Sequence, residues 1–221
     1  MNKLKDKFEL TREQSIFLAK KKWDENIYCG MRMENRNVTF PQTQTILKGV
    51  NVGSVALGDV QAILNMRDAW RELVSSIDEQ VSVDYICKIN GFVARNEALE
   101  WGVLRKGSVG VSGTSYSPPV PIESEASQEL RNIMLTEASM TEKAIDLFLW
   151  GVRRQMFWDG NKRTSLLAAN KLLVSGGNGI MTITDQHMLE FTTLLTEYFN
   201  TGEKKLIKGF LYENTISGIN F

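Results

Sequence analysis

Along most of the chain, apolar residues return at steps of three and four, and that period predicts helices. Ile16, Ala19, Trp23 and Ile27 form one such stripe, opened by Thr11 as a candidate N-cap with Gln14 at capping-box spacing. A second helix is expected from about Asp59, whose side chain can cap the free amides; Val60, Ile63, Leu64, Trp70, Leu73, Val74 and Ile77 share its face. Ile86, Ile89 and Val93 suggest a third. Two more helical stretches fall within residues 130 to 150, and Ile145, Phe148, Leu149 and Val152 lead into the segment richest in chemistry. From Thr184 onward, Met188, Phe191, Leu195 and Tyr198 mark a helix near the C-terminus, and the paired glycines Gly176-Gly177 read as a helix C-cap followed by a turn.

Two stretches break the period. Residues 36 to 58 mix Thr, Gly, Asn and Val with Pro41 and read as a long connection. Residues 103 to 121 alternate, with Val109 and Val111 set among Ser108, Gly110 and Ser112, a turn at Gly113 and a stop at Pro118-Pro119; this is a hairpin signal. The expected fold class is mainly α with one small β-hairpin, in a single domain over residues 1–221.

Composition narrows the function. Lys and Arg number 26 against 26 Asp and Glu, so the basic surplus typical of a nucleic-acid binder is absent. Cys29 and Cys87 stand in no CxxC frame and there is one His, which argues against a disulfide scaffold, a zinc ribbon or a His-rich metal site. No run approaches the ~20 apolar residues of a membrane span. No nucleic acid, no membrane and a cytoplasmic location are therefore expected.

The candidate chemistry lies in residues 155 to 166, Gln-Met-Phe-Trp-Asp-Gly-Asn-Lys-Arg-Thr-Ser-Leu, between two apolar-periodic helices. The second helix starts near Asn161, so its unpaired amides and dipole face the loop and favour negative charge. Gly160 can take a positive φ that lets amides converge on an anion, and Arg163 adds a donor fork in the first turn. Asp159 offers a hard oxygen ligand of the kind Mg²⁺ accepts beside substrate phosphates. The plain alternative is an ordinary Asp-Gly-Asn turn with Asn161 as N-cap.

This segment resembles the signature of the Fic/Doc (Fido) family, His-x-Phe-x-Asp/Glu-Gly-Asn-Gly/Lys-Arg. Phe157, Asp159, Gly160, Asn161, Lys162 and Arg163 match, the Lys as in Doc-like members. The hairpin at 103–121, with Tyr116 and the Pro pair, is similar to the family's flap, and Glu34-Asn35 within about residues 1–45 is similar to its inhibitory-helix pattern. The resemblance implies a Fic/Doc-type helical bundle. It implies that Asp159 ligates Mg²⁺, that Gly160, Asn161, Lys162 and Arg163 hold the phosphates of ATP or another nucleotide, and that Phe157 anchors the core. It implies further that Val109, Val111 and Tyr116 on the flap dock an extended protein target, and that AMP or another phosphate-containing group passes to a protein hydroxyl. The hairpin also fits a solvent-facing role without function.

Two departures change the picture. Gln155 stands where the family carries its catalytic His, and an amide can orient a hydroxyl but cannot take its proton. Leu166 stands where many members carry a second Arg, the usual partner of the inhibitory Glu, so Glu34 is expected to restrain little; Gly30 also replaces the Ser or Thr of that pattern. The only His, His187, lies 32 positions beyond Gln155 on an ordinary helical position. The alternative to an enzyme is a catalytically impaired pseudoenzyme of the same fold that binds nucleotide or a protein partner. Core packing is expected for Trp150, and a place in a nucleotide pocket for Trp158.

Overall fold

A computed structural model describes residues 3–219. Its elements in chain order are α1 (Arg12–Lys21), α2 (Trp23–Met33), α3 (Phe40–Leu47), α4 (Leu57–Ser75), α5 (Val83–Val93), α6 (Glu123–Leu135), α7 (Met140–Arg154), α8 (Asn161–Gly176), β1 (Ile180–Met181), α9 (Asp185–Thr201), α10 (Lys205–Thr215) and β2 (Ile216–Ser217). The molecule is mainly helical, as its periodicity predicts, with one small antiparallel sheet pairing Ile180 with Ser217 and Met181 with Ile216.

Local chemistry explains the helix starts. Thr11 and Gln14 form the expected reciprocal capping box, and Thr39 with Gln42 forms a second one that opens α3. That helix corrects the reading of residues 36–58 as a connection: Pro41 sits in its first turn, where a missing N–H costs nothing. The single helix expected from Thr11 to Ile27 is broken at Lys22, which ends α1 and begins α2. Asp59 does not cap α4, which begins two residues earlier after Ala56. Its carboxylate instead accepts a hydrogen bond from Arg36 Nη1 at 2.8 Å.

The expected hairpin at residues 103–121 forms no ladder; the only sheet among the described residues is β1–β2. The turn is there, with Thr114 N donating to Val111 O and Gly113 at φ +75°. Beyond it the Pro118-Pro119 carbonyls accept from Arg105, a side-chain tie in place of a strand pair. Among the described residues no helix is long and apolar enough to cross a membrane.

The interior is arranged around α8, which is buried nearly all round. α7 lies along it, and Gly151 permits the approach: a Cβ there would sit 2.4 Å from Ser165 Oγ. One apolar cluster, including Phe148, Phe157, Leu173 and Phe191, fills the α7 side of α8. Another, including Trp70, Ile89, Leu167 and Val174, fills the side toward α4 and α5. With both flanks fixed, the α8 N-terminus and the loop before it are held by packed helices. Gly177 closes the other end in the left-handed conformation, as its sequence predicts.

Candidate functional site

The loop between α7 and α8 is shaped by two left-handed residues. Gln155 ends α7 at φ +48° and Gly160 opens α8 at φ +73°. A Cβ on Gly160 would approach Val93 Cγ1 to 2.8 Å, so both the dihedral and α5 require glycine. Asn161 clamps the turn: its Oδ1 accepts from Phe157 N at 2.9 Å and its Nδ2 donates to Phe157 O at 2.8 Å. Phe157 is buried in the core, as expected. Asn90 of α5, fully buried, donates to Asp159 O and Thr164 Oγ1 and accepts from Gly102 N, which ties the loop to two neighbouring segments.

The α8 N-terminus therefore presents the amides of Asn161, Lys162 and Arg163 where no carbonyl of the helix can reach them. Asp159 sits beside them with its side chain 44% exposed. Its Oδ1 accepts from Gly160 N and lies 3.6 Å from Arg163 Nη2, while Oδ2 has no partner among the described residues. That free oxygen fits a Mg²⁺ that takes its remaining ligands from phosphates and water. No group of three or more His, Cys, Asp or Glu able to hold a metal occurs among the described residues.

The cations are already engaged. Arg163, 1% exposed, lies 3.1 Å from Glu97, 3.5 Å from Glu34 and 3.6 Å from Asp159. Burial opposes its charge, but Glu34, Glu97 and Asp159 outweigh that and raise its pKa above the ordinary value. Its buried Nε makes no hydrogen bond among the described residues. Lys162 Nζ is 2.9 Å from Glu34 and donates to Met33 O at 2.8 Å. Glu34 thus has partners in Lys162 and Arg163 in place of the second Arg that Leu166 replaces, and Leu166 itself is buried in the core. Gly30 faces Met66, whose Cε would lie 3.1 Å from an added Cβ.

Gln155 is half-buried, and its Nε2 donates to Val152 O at 2.7 Å, so the amide folds back on the end of α7. His187 is on α9, edge-on to Phe210 and bonded to Gln186. Trp150 is half-buried, packs against the core and donates to Glu129; Trp158 donates to Glu100 and covers Gly107. Tyr116 is stacked against Phe199 at 6.0 Å with the Arg153 guanidinium 4.2 Å over its ring. Val111 packs against the core, and Val109 is half-buried.

Three residues at the site carry no motif signal. Arg105, 1% exposed, donates to Gln155 O at 2.7 Å and to the carbonyls of Gly107, Pro118 and Pro119, which binds the base of the 107–119 segment to the loop. Glu97, held by Arg36, Asn65 and Arg163, forms the far wall of the charge network. Asn90 is the third. Their roles depend on residues 50 to 75 positions away, and only the period placing Asn90 on α5 was visible beforehand.

The model of the Fic/DOC family matches residues 80–173, a span that takes in α5, the 103–121 segment and the loop. Among curated proteins no sequence match is found. Solved structures share the fold. Fic-1 (residues 134–508) from C. elegans superposes with a TM-score of 0.76 at 20% identity, covering 89% of this chain and 61% of that one. A Fic domain containing signaling protein from Bacteroides thetaiotaomicron gives 0.69 at 18% identity, covering 93% and 81%. BepC of Bartonella tribocorum, with bound AMPPNP, gives 0.51 at 19% identity, covering 71% and 86%. The chain thus spans under two thirds of the C. elegans protein.

Proposed function

From the premise that this chain belongs to the Fic/DOC family through residues 80–173, we propose that the 155–166 loop binds the phosphates of a nucleotide together with Mg²⁺. The observation that carries this reading is the α8 N-terminus, where three unpaired amides adjoin Gly160 in the left-handed conformation and the free oxygen of Asp159. Asp159 would hold the metal, which supplies charge neutralisation to the phosphates. The amides of Asn161, Lys162 and Arg163 orient the phosphate oxygens, and the helix dipole favours their charge. Lys162 and Arg163 are reserve donors, released only when Glu34 gives them up. The AMPPNP in the Bartonella relative accords with nucleotide binding.

The reaction that fits is transfer of AMP or another phosphate-containing group from the bound nucleotide to a protein hydroxyl presented along the 107–119 segment, which carries the half-buried Val109 and Val111. Gln155 offers no proton acceptor, and turnover is therefore slow. A second reading, a nucleotide-binding module without turnover, is favoured by the Gln155 amide being tied to Val152. Incubating the protein with Mg²⁺ and labelled ATP, GTP, CTP or UTP in a cell lysate separates them. Label on any protein supports transfer; nucleotide bound without label supports the module; no nucleotide bound overturns both.

A further inference from the structure

A cavity of about 730 Å³ lies away from the loop, between α6, the C-terminal half of α8 and the segment from Ile77 to Val83. Its size is within the ~300–1,000 Å³ range of small-ligand pockets. Ile77, Val81, Leu130, Met134, Met140 and Leu172 make its walls mainly apolar.

Charges line it unevenly. Its two acids have cation partners: Asp78 is 2.6 Å from Arg12, and Glu79 is 2.9 Å from Lys88. Its remaining cations, Lys171 and Arg131, have no carboxylate partner among the described residues. Arg131 donates to Gln128 at 2.8 Å. Lys171 is only 1% exposed, an unusual place for an ammonium. Its Nζ donates to Ser76 O and lies 5.2 Å from the centre of the Tyr85 ring, which leaves donor capacity unused.

We propose that this cavity binds a small apolar monocarboxylate, its carboxylate paired with Lys171 and Arg131 and its apolar body against the α6 and α8 walls. A single negative charge suits the site. A dianionic phosphate would set surplus charge beside Asp78 and Glu79, and a neutral ligand would leave the Lys171 ammonium buried without a counter-ion. Burial lowers the Lys171 pKa to about 8, against the opposing pull of Glu79 and Asp78 and with Lys88 and Arg12 adding to the decrease. Carboxylate binding therefore weakens as pH rises past that value. The titratable and charged groups around the amine are Arg12 of α1, Asp78 and Glu79, Tyr85 and Lys88 of α5, and Arg131 of α6.

Calorimetric titration of the full chain with octanoate, octanol and octyl phosphate tests this. Saturable one-to-one octanoate binding is expected, tighter than that of octanol or octyl phosphate, and falling between pH 7 and pH 10 while octanol binding stays level. Lys171→Met should weaken octanoate by about 10-fold, the scale of one charge-assisted bond, and leave octanol unchanged. Ser127→Phe, which fills the cavity, should abolish both. The pH series needs no variant and stands if either substitution fails to fold. No saturable octanoate binding, octanoate binding level across the pH series, or tighter binding of octyl phosphate overturns the proposal. Nucleotide binding at the loop is read separately and is unaffected by either result.

Discussion

Glu34→Gln is the substitution that reports most on how the loop is held. Glu34 caps the end of α2, and its carboxylate is 2.9 Å from Lys162 Nζ and 3.5 Å from Arg163 Nε, with 17% of its side chain exposed. At an effective dielectric of ~20, a unit pair ~3 Å apart attracts by roughly 5–6 kcal/mol before other terms. Desolvation, and the partial exposure of Lys162, reduce the net coupling to about 1–2 kcal/mol. An incoming phosphate must compete for the same two cations. Glutamine keeps the shape and an acceptor oxygen, and Lys162 keeps its bond to Met33 O, so the change removes charge with little else. ATP with Mg²⁺ should then bind about 5–30-fold tighter by calorimetry, with the gain shrinking as salt rises. Equal or weaker binding in Glu34→Gln would refute the idea that Glu34 and phosphate share these cations.

Other outcomes follow from the same geometry. Gln155→His restores a proton acceptor at a position whose left-handed backbone His tolerates, and should raise transfer from the same nucleotide at least ~10-fold in a label-transfer assay; an unimproved rate would mean another group serves as base. Glu97→Gln puts an amide among the donors of Arg36, Asn65 and Arg163 and should cost about 2–4 kcal/mol, read as a melting temperature lower by about 5–15 °C. Lys171→Met should raise stability at pH 7 by about 1–3 kcal/mol, since the folded chain binds that proton less well than the unfolded one. The sign follows from the depressed pKa: the native protein gains stability as pH rises from about 8 toward the ordinary lysine value, and the variant's advantage in denaturant melts should vanish over that interval.

Elements with strong periodicity and a capping residue were legible in the sequence: α1 from Thr11, α5 from Ile86 and its neighbours, α7 and α9 from their apolar stripes. The 155–166 turn was legible because a glycine at positive φ is a local requirement; Asn161, read as an N-cap, instead clamps Phe157 from the first position of α8, with Gly160 as the cap. α3 was obscured because its Thr and Gln composition looks like a loop unless Thr39 and Gln42 are read as a capping box. The 103–121 segment misled because alternation describes side-chain exposure, whereas a strand needs a partner; here Arg105 supplies the carbonyls' bonds instead. Glu97, Asn90 and Arg105 were out of reach for the same reason. Each acts across the fold on a loop more than 45 residues away, and no local pattern encodes such a meeting.

The central claim, phosphate binding at the α8 N-terminus, is tested most directly by the amide resonances of the loop. Titrating ¹⁵N-labelled protein with ATP and Mg²⁺ should shift the signals of Gly160, Asn161, Lys162 and Arg163 saturably, and Asp159→Ala should reduce those shifts to the level seen without Mg²⁺. Shifts confined to other parts of the chain, or none at saturating nucleotide, would contradict the account.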